Sequence, residues 1–373
     1  MTAGSRTVVF AANSLWYITN FRTGLIRAIR DSGYRAIVVA PPDPRNEVRL
    51  AELGIEFVPI RIDRKGLNPL AELALLWRFR RQLRRLRPFA CVGFTIKPNI
   101  YGALAASSLA IPVIANVSGL GTAFMRAGAL QRIVTGLYRL AFRRAVVFFE
   151  NADDRQLFAD RKIVRAEQTR VVPGSGIDLD RFGVADLPSG GVIFLLIARL
   201  IGDKGVREFV DAARKLRSRM PHSRFQLLGG IDEGNRTSIQ KPELDAWVEE
   251  GVIEYLGETD DVRPFIANAS AVVLPSYREG LPRSLLEGAA MGRPLVATDV
   301  PGCRDVIDEG VNGFLCEPRD PASLANAMDS LASLPDERRV SMGAASRRKV
   351  QEQFSEALVV RAYLDVLASL ERH

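Results

Sequence analysis

Short unbroken apolar runs alternate, from end to end, with longer stretches whose apolar positions recur at helical spacing. Unbroken runs suit strands covered on both faces. Alternating with amphipathic helices, they predict an α/β protein built on parallel sheets. The runs place strands at 7–12, 35–40, 55–60, 90–94, 112–116, 145–149 and 170–172, then at 191–198, 224–228, 253–256, 271–274 and 295–298. A second β/α series therefore begins near residue 190. The turn-rich segments 173–182 and 187–191 put the boundary between 173 and 191. The expected division is an N-terminal domain over 1–182, a C-terminal domain over 190–350, and a final helix over 351–373 able to pack back on the N-terminal domain.

Length and composition narrow this picture. The chain has 373 residues, 47% hydrophobic and 25% charged, enough for about two domains with a substantial core. Cys91, Cys303 and Cys316 are too widely spaced for a disulfide framework or a metal motif, so a reducing cytosol is the simplest setting. No apolar stretch reaches the ~20 residues of a membrane-spanning helix, and the first residues carry no signal-peptide pattern. Charge is uneven. Residues 1–186 hold 28 Lys+Arg against 15 Asp+Glu, whereas residues 187–373 hold 23 against 28. The basic half is built to meet an anion; nucleic acid, anionic lipid and a diphosphate-bearing ligand all qualify on charge.

Candidate chemistry concentrates in Ser276-Tyr-Arg-Glu-Gly-Leu-Pro-Arg-Ser-Leu-Leu-Glu-Gly-Ala-Ala-Met-Gly-Arg-Pro-Leu-Val-Ala-Thr298. It follows a predicted strand, and Pro282 is expected to open a helix at a first-turn position, where its missing N–H costs nothing. Such a loop and helix start present backbone N–H groups and the positive end of a helix dipole, a ready anion site. Glu279 in the loop and Glu287 in the second helical turn can border one cleft. A phosphate cradle flanked by two carboxylates suits a phosphorylated, hydroxyl-rich ligand such as a nucleotide sugar. The plainer alternative is a surface helix with two solvated carboxylates.

This stretch resembles the retaining glycosyltransferases of family 4, which carry Glu-x7-Glu in the same setting. Pro275-Ser276, Gly280-Leu281-Pro282, Gly292-Arg293-Pro294 and the segment from Gly310 to Leu315 extend the match. The resemblance implies the GT-B architecture, two Rossmann-like β/α/β domains facing a central cleft. It assigns Glu279 to hydroxyls of the transferred sugar and Glu287 to the ribose hydroxyls. Backbone N–H groups around Gly280, Leu281, Arg283 and Ser284 would hold phosphate oxygens. Arg199, just past a strand end, and Lys204, at the mouth of the next helix, match the family's Arg-x4-Lys pair. Two cations there can bracket a diphosphate and stabilise the charge that grows as the sugar leaves, unless they are a solvated surface pair. Gly229, with Gly230, resembles the glycine turn near the nucleotide, and the strand end at Gly257 the seat of the nucleobase. The resemblance suggests a UDP-linked donor.

Four segments of the first half, 13–22, 94–102, 115–124 and 148–155, resemble bacterial hexosaminyltransferases that extend glycans on undecaprenyl diphosphate. Asn13, Asn20, Arg22, Lys97 and Asn99 lie just past predicted strand ends and are expected to face the cleft. Arg22 and Lys97 either hold an acceptor diphosphate or cap and bridge neighbouring loops. Gly119 and Gly121 either admit a ligand close to the backbone or serve a turn. Two helices carry the positive charge. One, begun by Asn68 and Pro69, ends in Arg78, Arg80, Arg81, Arg84, Arg85 and Arg87. The other, from about Ala127 to Arg144, sets Leu130, Ile133, Val134, Leu137 and Ala141 opposite Arg132, Arg139 and Arg143. Such helices can rest on an anionic bilayer or simply pack on the sheet with solvated arginines. A lipid-linked acceptor favours contact with the inner face of the cell membrane.

The two histidines, His222 and His373, lie far from these motifs, and none occurs in the first half, where several relatives place one near the acceptor. A same-face attack, with the departing phosphate taking the acceptor's proton, needs only positioning and electrostatics. No Asp-x-Asp is suitably placed for a metal, Asp178-Leu-Asp180 lying in the interdomain turn, so neither metal nor other cofactor is expected. The expected partners are a UDP-sugar, a lipid-linked diphosphate sugar and an anionic membrane, with no nucleic acid. The competing readings are a nucleotide-sugar epimerase of the same architecture, a transferase with a soluble or other lipid acceptor, and a basic nucleic-acid-binding protein. The epimerase needs acid/base side chains not found among the motifs, and the last needs a nucleic-acid module that does not occur.

Overall fold

The computed structural model describes residues 6–63, 68–119 and 129–372. The chain divides into two compact units, Met1–Gly176 with Glu356–His373, and Ile177–Ser355. The first holds seven strands: β1 Thr7–Ala11, β2 Arg35–Ala40, β3 Glu56–Pro59, β4 Ala90–Phe94, β5 Val113–Val117, β6 Val146–Phe149 and β7 Thr169–Val171. They pair in parallel in the order β3-β2-β1-β4-β5-β6-β7. Successive β1 side chains point to opposite faces. Val9 and Ala11 join one core with Phe79 and Phe142, while Val8 and Phe10 join another with Ile29, Phe148 and Tyr363. The final helix, Glu356–Glu371, supplies Val359, Tyr363, Val366 and Leu367 to the second of these cores.

The second unit has six strands: β8 Ile193–Ile197, β9 Arg224–Leu228, β10 Glu254–Tyr255, β11 Ala271–Leu274, β12 Leu295–Thr298 and β13 Gly313–Cys316. Their order, β10-β9-β8-β11-β12-β13, repeats the pattern of the first unit. In each sheet the order reverses once, between β1 and β4 and between β8 and β11. Those are the switch points outside which open α/β sheets bind ligands.

Expected and observed strands differ mostly by a residue or two at the ends. β13 was not expected; it is four residues long, lies at the sheet edge and has two half-buried positions, so its apolar run is short. The helix after β11 is Arg283–Ala290, and Pro282 is its extended N-cap rather than its first turn. Asn68 caps Pro69–Leu86 as expected, its Oδ1 accepting from Leu70 N at 3.0 Å. That helix buries Leu75, Phe79 and Leu83 and leaves Leu70, Leu73 and Trp77 exposed, Trp77 by 61%.

The second basic helix runs Ala129–Ala141; Ala127 and the side chain of Leu130 lie outside the described residues. Its packed stripe differs from the expected one, because Ile133 is exposed while Tyr138 is buried. Tyr138 nests against Phe142 and Phe158, with ring centroids 5.0 and 5.4 Å away. That aromatic cluster draws the buried stripe around the helix, away from Ile133. Among the described residues no helix is long and apolar enough to cross a membrane.

Candidate active site

The second unit's switch point gathers most of the predicted donor residues. The chain leaves β8 through Arg199, makes a short 3₁₀ turn over Gly202–Lys204 and enters the helix Val206–Arg217. It leaves β11 through Pro275 and Ser276. Gly205 lets these two exits touch. Its φ is +71°, and a Cβ there would stand 2.0 Å from the Pro275 carbonyl oxygen, which only glycine tolerates. Tyr277 N then donates to Asp203 O at 3.0 Å, zipping the loops together. Lys204 is delivered to Glu279, and its Nζ donates to Oε1 at 2.5 Å.

Gly302 performs the same service on the other side. At φ +83°, it lies where a Cβ would be 2.5 Å from Gly280 O. Glu279 N donates to Pro301 O at 3.3 Å. The segment bearing Glu279 is thus held between the loops after β8 and β12.

Four residues on from Arg283, Glu287 accepts at Oε1 from Arg283 Nε at 2.9 Å. Burial pushes the Glu287 carboxyl above its usual range, and the Arg283 guanidinium opposes that rise. Pro282, the N-cap of Arg283–Ala290, supplies no side-chain hydrogen bond to it, and the first-turn N–H groups around Arg283 and Ser284 sit at the helix's positive end. Gly280 is buried and Leu281 half-buried beside them. Gly229 N donates to Gly257 O at 2.8 Å, and Tyr255 Oη donates to Gly229 O at 3.1 Å, joining the ends of β9 and β10.

Arg199 stands apart. Its side chain is 60% exposed and its Nη1 pairs with Asp232 at 2.6 Å, so the expected pair of cations is split, with each already bound to a carboxylate. Sequence reasoning gave no part to Asp232, nor to Ser276 and Thr298. Ser276 Oγ donates to Glu279 Oε1 at 2.5 Å, and Thr298 Oγ1 donates to the Ser276 carbonyl. Ser276 and Thr298 frame the motif, so their place in it was the available signal.

In the first unit, Asn13 N donates to Thr95 Oγ1 at 3.2 Å, joining the exits of β1 and β4. Lys97 is paired with Glu72. Asn99 is buried and donates through Nδ2 to Asn116 O at 2.8 Å. Asn20 is engaged with Trp16 O at 2.8 Å, and Gly119 has φ +140°. Gly121, with the rest of 120–124, and His373 lie outside the described residues.

Arg22 departs from its expected role as a diphosphate ligand. It is 1% exposed, and its guanidinium donates to Tyr17 Oη, Glu150 Oε1 and Gly174 O. It also lies over the Phe94 ring, 4.6 Å from the centroid. Burial of Glu150 required an internal cation, and the residue after the first helix, Leu15–Phe21, supplies it; the bridging alternative is the one realised. Burial raises the Glu150 carboxyl, while Arg22 and Asn116 oppose the rise. His222 is exposed. Among the described residues no cluster of three His, Cys, Asp or Glu could hold a metal ion.

Residues 18–174 match the family described as "Glycosyl transferase 4-like domain", and residues 191–333 match "Glycosyl transferases group 1". The chain belongs to this glycosyltransferase family. The transferase is 27% identical over 365 residues to the N,N'-diacetylbacillosaminyl-diphospho-undecaprenol alpha-1,3-N-acetylgalactosaminyltransferase of Campylobacter jejuni subsp. jejuni serotype O:2, covering 93% of this chain and 94% of that one. It is 28% identical over 184 residues to the lipopolysaccharide core biosynthesis glycosyltransferase LpsE of Rhizobium meliloti, covering 49% and 52%. Among solved structures, Anabaena Alr3699/HepE in complex with UDP and glucose superposes with a TM-score of 0.82 at 19% identity, covering 98% of the transferase and 100% of that chain. WaaG, a glycosyltransferase involved in lipopolysaccharide biosynthesis, follows at 0.72 and 16%, covering 96% and 99%. The fold is the expected GT-B class, carried by two Rossmann-like sheets.

Proposed function

We propose that the transferase moves an N-acetylhexosamine, GalNAc or GlcNAc, from a UDP-sugar to a sugar on a polyprenyl diphosphate, with retention, in assembly of a cell-surface polysaccharide or protein glycan. The observation that carries the donor half is the Lys204–Glu279 pair beside the start of Arg283–Ala290 and the half-buried Glu287. The acceptor half is supported by the full-length similarity to a relative named for an undecaprenol-diphosphate acceptor.

The diphosphate lies at the positive end of Arg283–Ala290, with Lys204 neutralising the leaving phosphate and Arg199 released from Asp232 to join it. Glu279 accepts from sugar hydroxyls and Glu287 from the ribose. The acceptor oxygen bonds to the anomeric carbon on the face the phosphate leaves, the anomeric carbon–oxygen bond breaks, and the hydroxyl proton passes to the departing phosphate oxygen. Charge stabilisation is assigned to fixed cations and a helix dipole, so no metal or other cofactor is required. Asn13, Lys97, Asn99 and Gly119 line the acceptor side at the β1/β4 switch point.

The setting is the cytoplasmic face of the membrane. The exposed Leu70, Leu73 and Trp77, with Arg81 stacked over the Trp77 ring at 5.6 Å, give the first basic helix an apolar and cationic face suited to anionic headgroups. The deciding experiment incubates the protein and EDTA with a panel of UDP-sugars and a short polyprenyl-diphosphate-GlcNAc, or its diacetylbacillosamine analogue. Product from one UDP-N-acetylhexosamine is expected. Product only with a soluble acceptor, or only after adding a divalent metal, overturns the corresponding part.

A further inference from the structure

Glu279 has two donors on a single oxygen. Lys204 Nζ and Ser276 Oγ each reach Oε1 at 2.5 Å, while Oε2 accepts from no described residue. Ser276 is 0% exposed, so its hydroxyl sees no water and serves this carboxylate. Its backbone is fixed in turn, because the Ser276 carbonyl accepts from Thr298 Oγ1, itself 1% exposed. Burial pushes the nearby Cys303 thiol well above its usual range. A chain of buried groups thus leads from β12 to one oxygen of Glu279.

We infer that Ser276 is a positioning residue for sugar transfer, its hydroxyl turning Glu279 so that Oε1 meets Lys204 and Oε2 faces the transferred sugar. The inference rests on the proposed role of Glu279. A carboxylate held by Lys204 alone pivots about one flexible side chain. The second, rigid donor fixes its plane, and a carboxylate misplaced by a fraction of an ångström loses much of its effect on a reacting centre. Thr298 acts one step further out, by holding the Ser276 backbone.

The test compares Ser276→Ala and Thr298→Val, both near-isosteric, with Glu279→Ala in steady-state transfer, UDP titration and thermal melting. Ser276→Ala is expected to lower kcat about 10- to 100-fold, the range for a buried hydrogen bond to a charged group. Its donor KM and UDP Kd should stay within about threefold of the unaltered protein, with Thr298→Val showing a smaller fall in kcat. Unchanged kcat in Ser276→Ala overturns the inference. So does a parallel loss of kcat, UDP affinity and melting temperature, which marks Ser276 as structural. Full turnover by Glu279→Ala defeats the underlying reading instead, so the two failures are separable.

Discussion

Replacing Arg22 by Met tests whether the most buried cation of the first unit is scaffold or ligand. The substitution keeps an unbranched apolar stem but removes the donors to Tyr17, Glu150 and Gly174 and the stacking on Phe94. Glu150 then stays buried with only neutral side-chain partners, Asn116, whose Nδ2 is 3.2 Å away, and Ser118. Breaking a buried pair from one side costs about 3–5 kcal/mol, because the surviving charge is uncompensated. At roughly 2–4 °C per kcal/mol for a domain of this size, the first unit should melt on the order of 10 °C lower.

The pH dependence has a definite sign. Burial already raises the Glu150 carboxyl, and loss of Arg22 raises it further. A group whose folded-state value is raised contributes stability that is present below its unfolded value and lost as pH rises through the folded one. The deficit of Arg22→Met should therefore be larger at pH 8 than at pH 5. Scanning calorimetry at both values reads this directly, with UDP titration as a control on the second unit. An unchanged melting temperature together with a raised acceptor KM would refute the argument and restore Arg22 as a diphosphate ligand.

Lys204→Ala should abolish measurable transfer while the protein still melts cooperatively; near-normal turnover would remove Lys204 from the site. Glu287→Gln should weaken UDP-sugar binding about tenfold, the loss of one or two hydrogen bonds to a charged acceptor. In the unaltered protein that affinity should fall as pH drops through the raised range of Glu287, a dependence absent from the variant in calorimetric titrations. Gly205→Ala should lower both melting temperature and kcat, since the clash with Pro275 O pushes the Lys204 turn away from Glu279; crystallography of an active variant with an unmoved loop would contradict this. Leu73→Ser with Trp77→Ser should reduce sedimentation with anionic vesicles without changing UDP affinity, and unchanged sedimentation would return that face to ordinary solvent exposure.

The fold was readable because buried parallel strands leave an unmistakable mark: Arg35–Ala40 and Ala271–Leu274 are apolar at nearly every position and were placed to the residue. β13 escaped because an edge strand of four residues carries too little signal. In the donor site, Lys204 and Glu279 are each legible as residues just past strand ends, because strand exits converge at a switch point; their contact with each other is seen only in the structure. The capture of Arg199 by Asp232 could not be read either, since it depends on side-chain reach across a loop without periodicity. Arg22 shows the sharper limit. Its place after a strand and a short helix suggests an exposed cation, and only the depth of Glu150, more than a hundred residues on, decides that it turns inward.

The first unit is discontinuous: its last helix, Glu356–Glu371, is separated from the rest by the whole of Ile177–Ser355. Tyr363 from that helix donates to Asn116 Oδ1 at 3.1 Å and packs on Phe148, beside the network around Arg22 and Glu150. During vectorial synthesis domains tend to fold in the order they emerge. Here the unit that begins first must finish last. The second unit can complete its sheet while the first still lacks Val359, Tyr363, Val366 and Leu367 from its core. Until then that core presents uncovered apolar surface, so a stop codon in place of Glu356 should yield a chain that binds UDP, precipitates readily and leaves chaperones occupied with its oldest part.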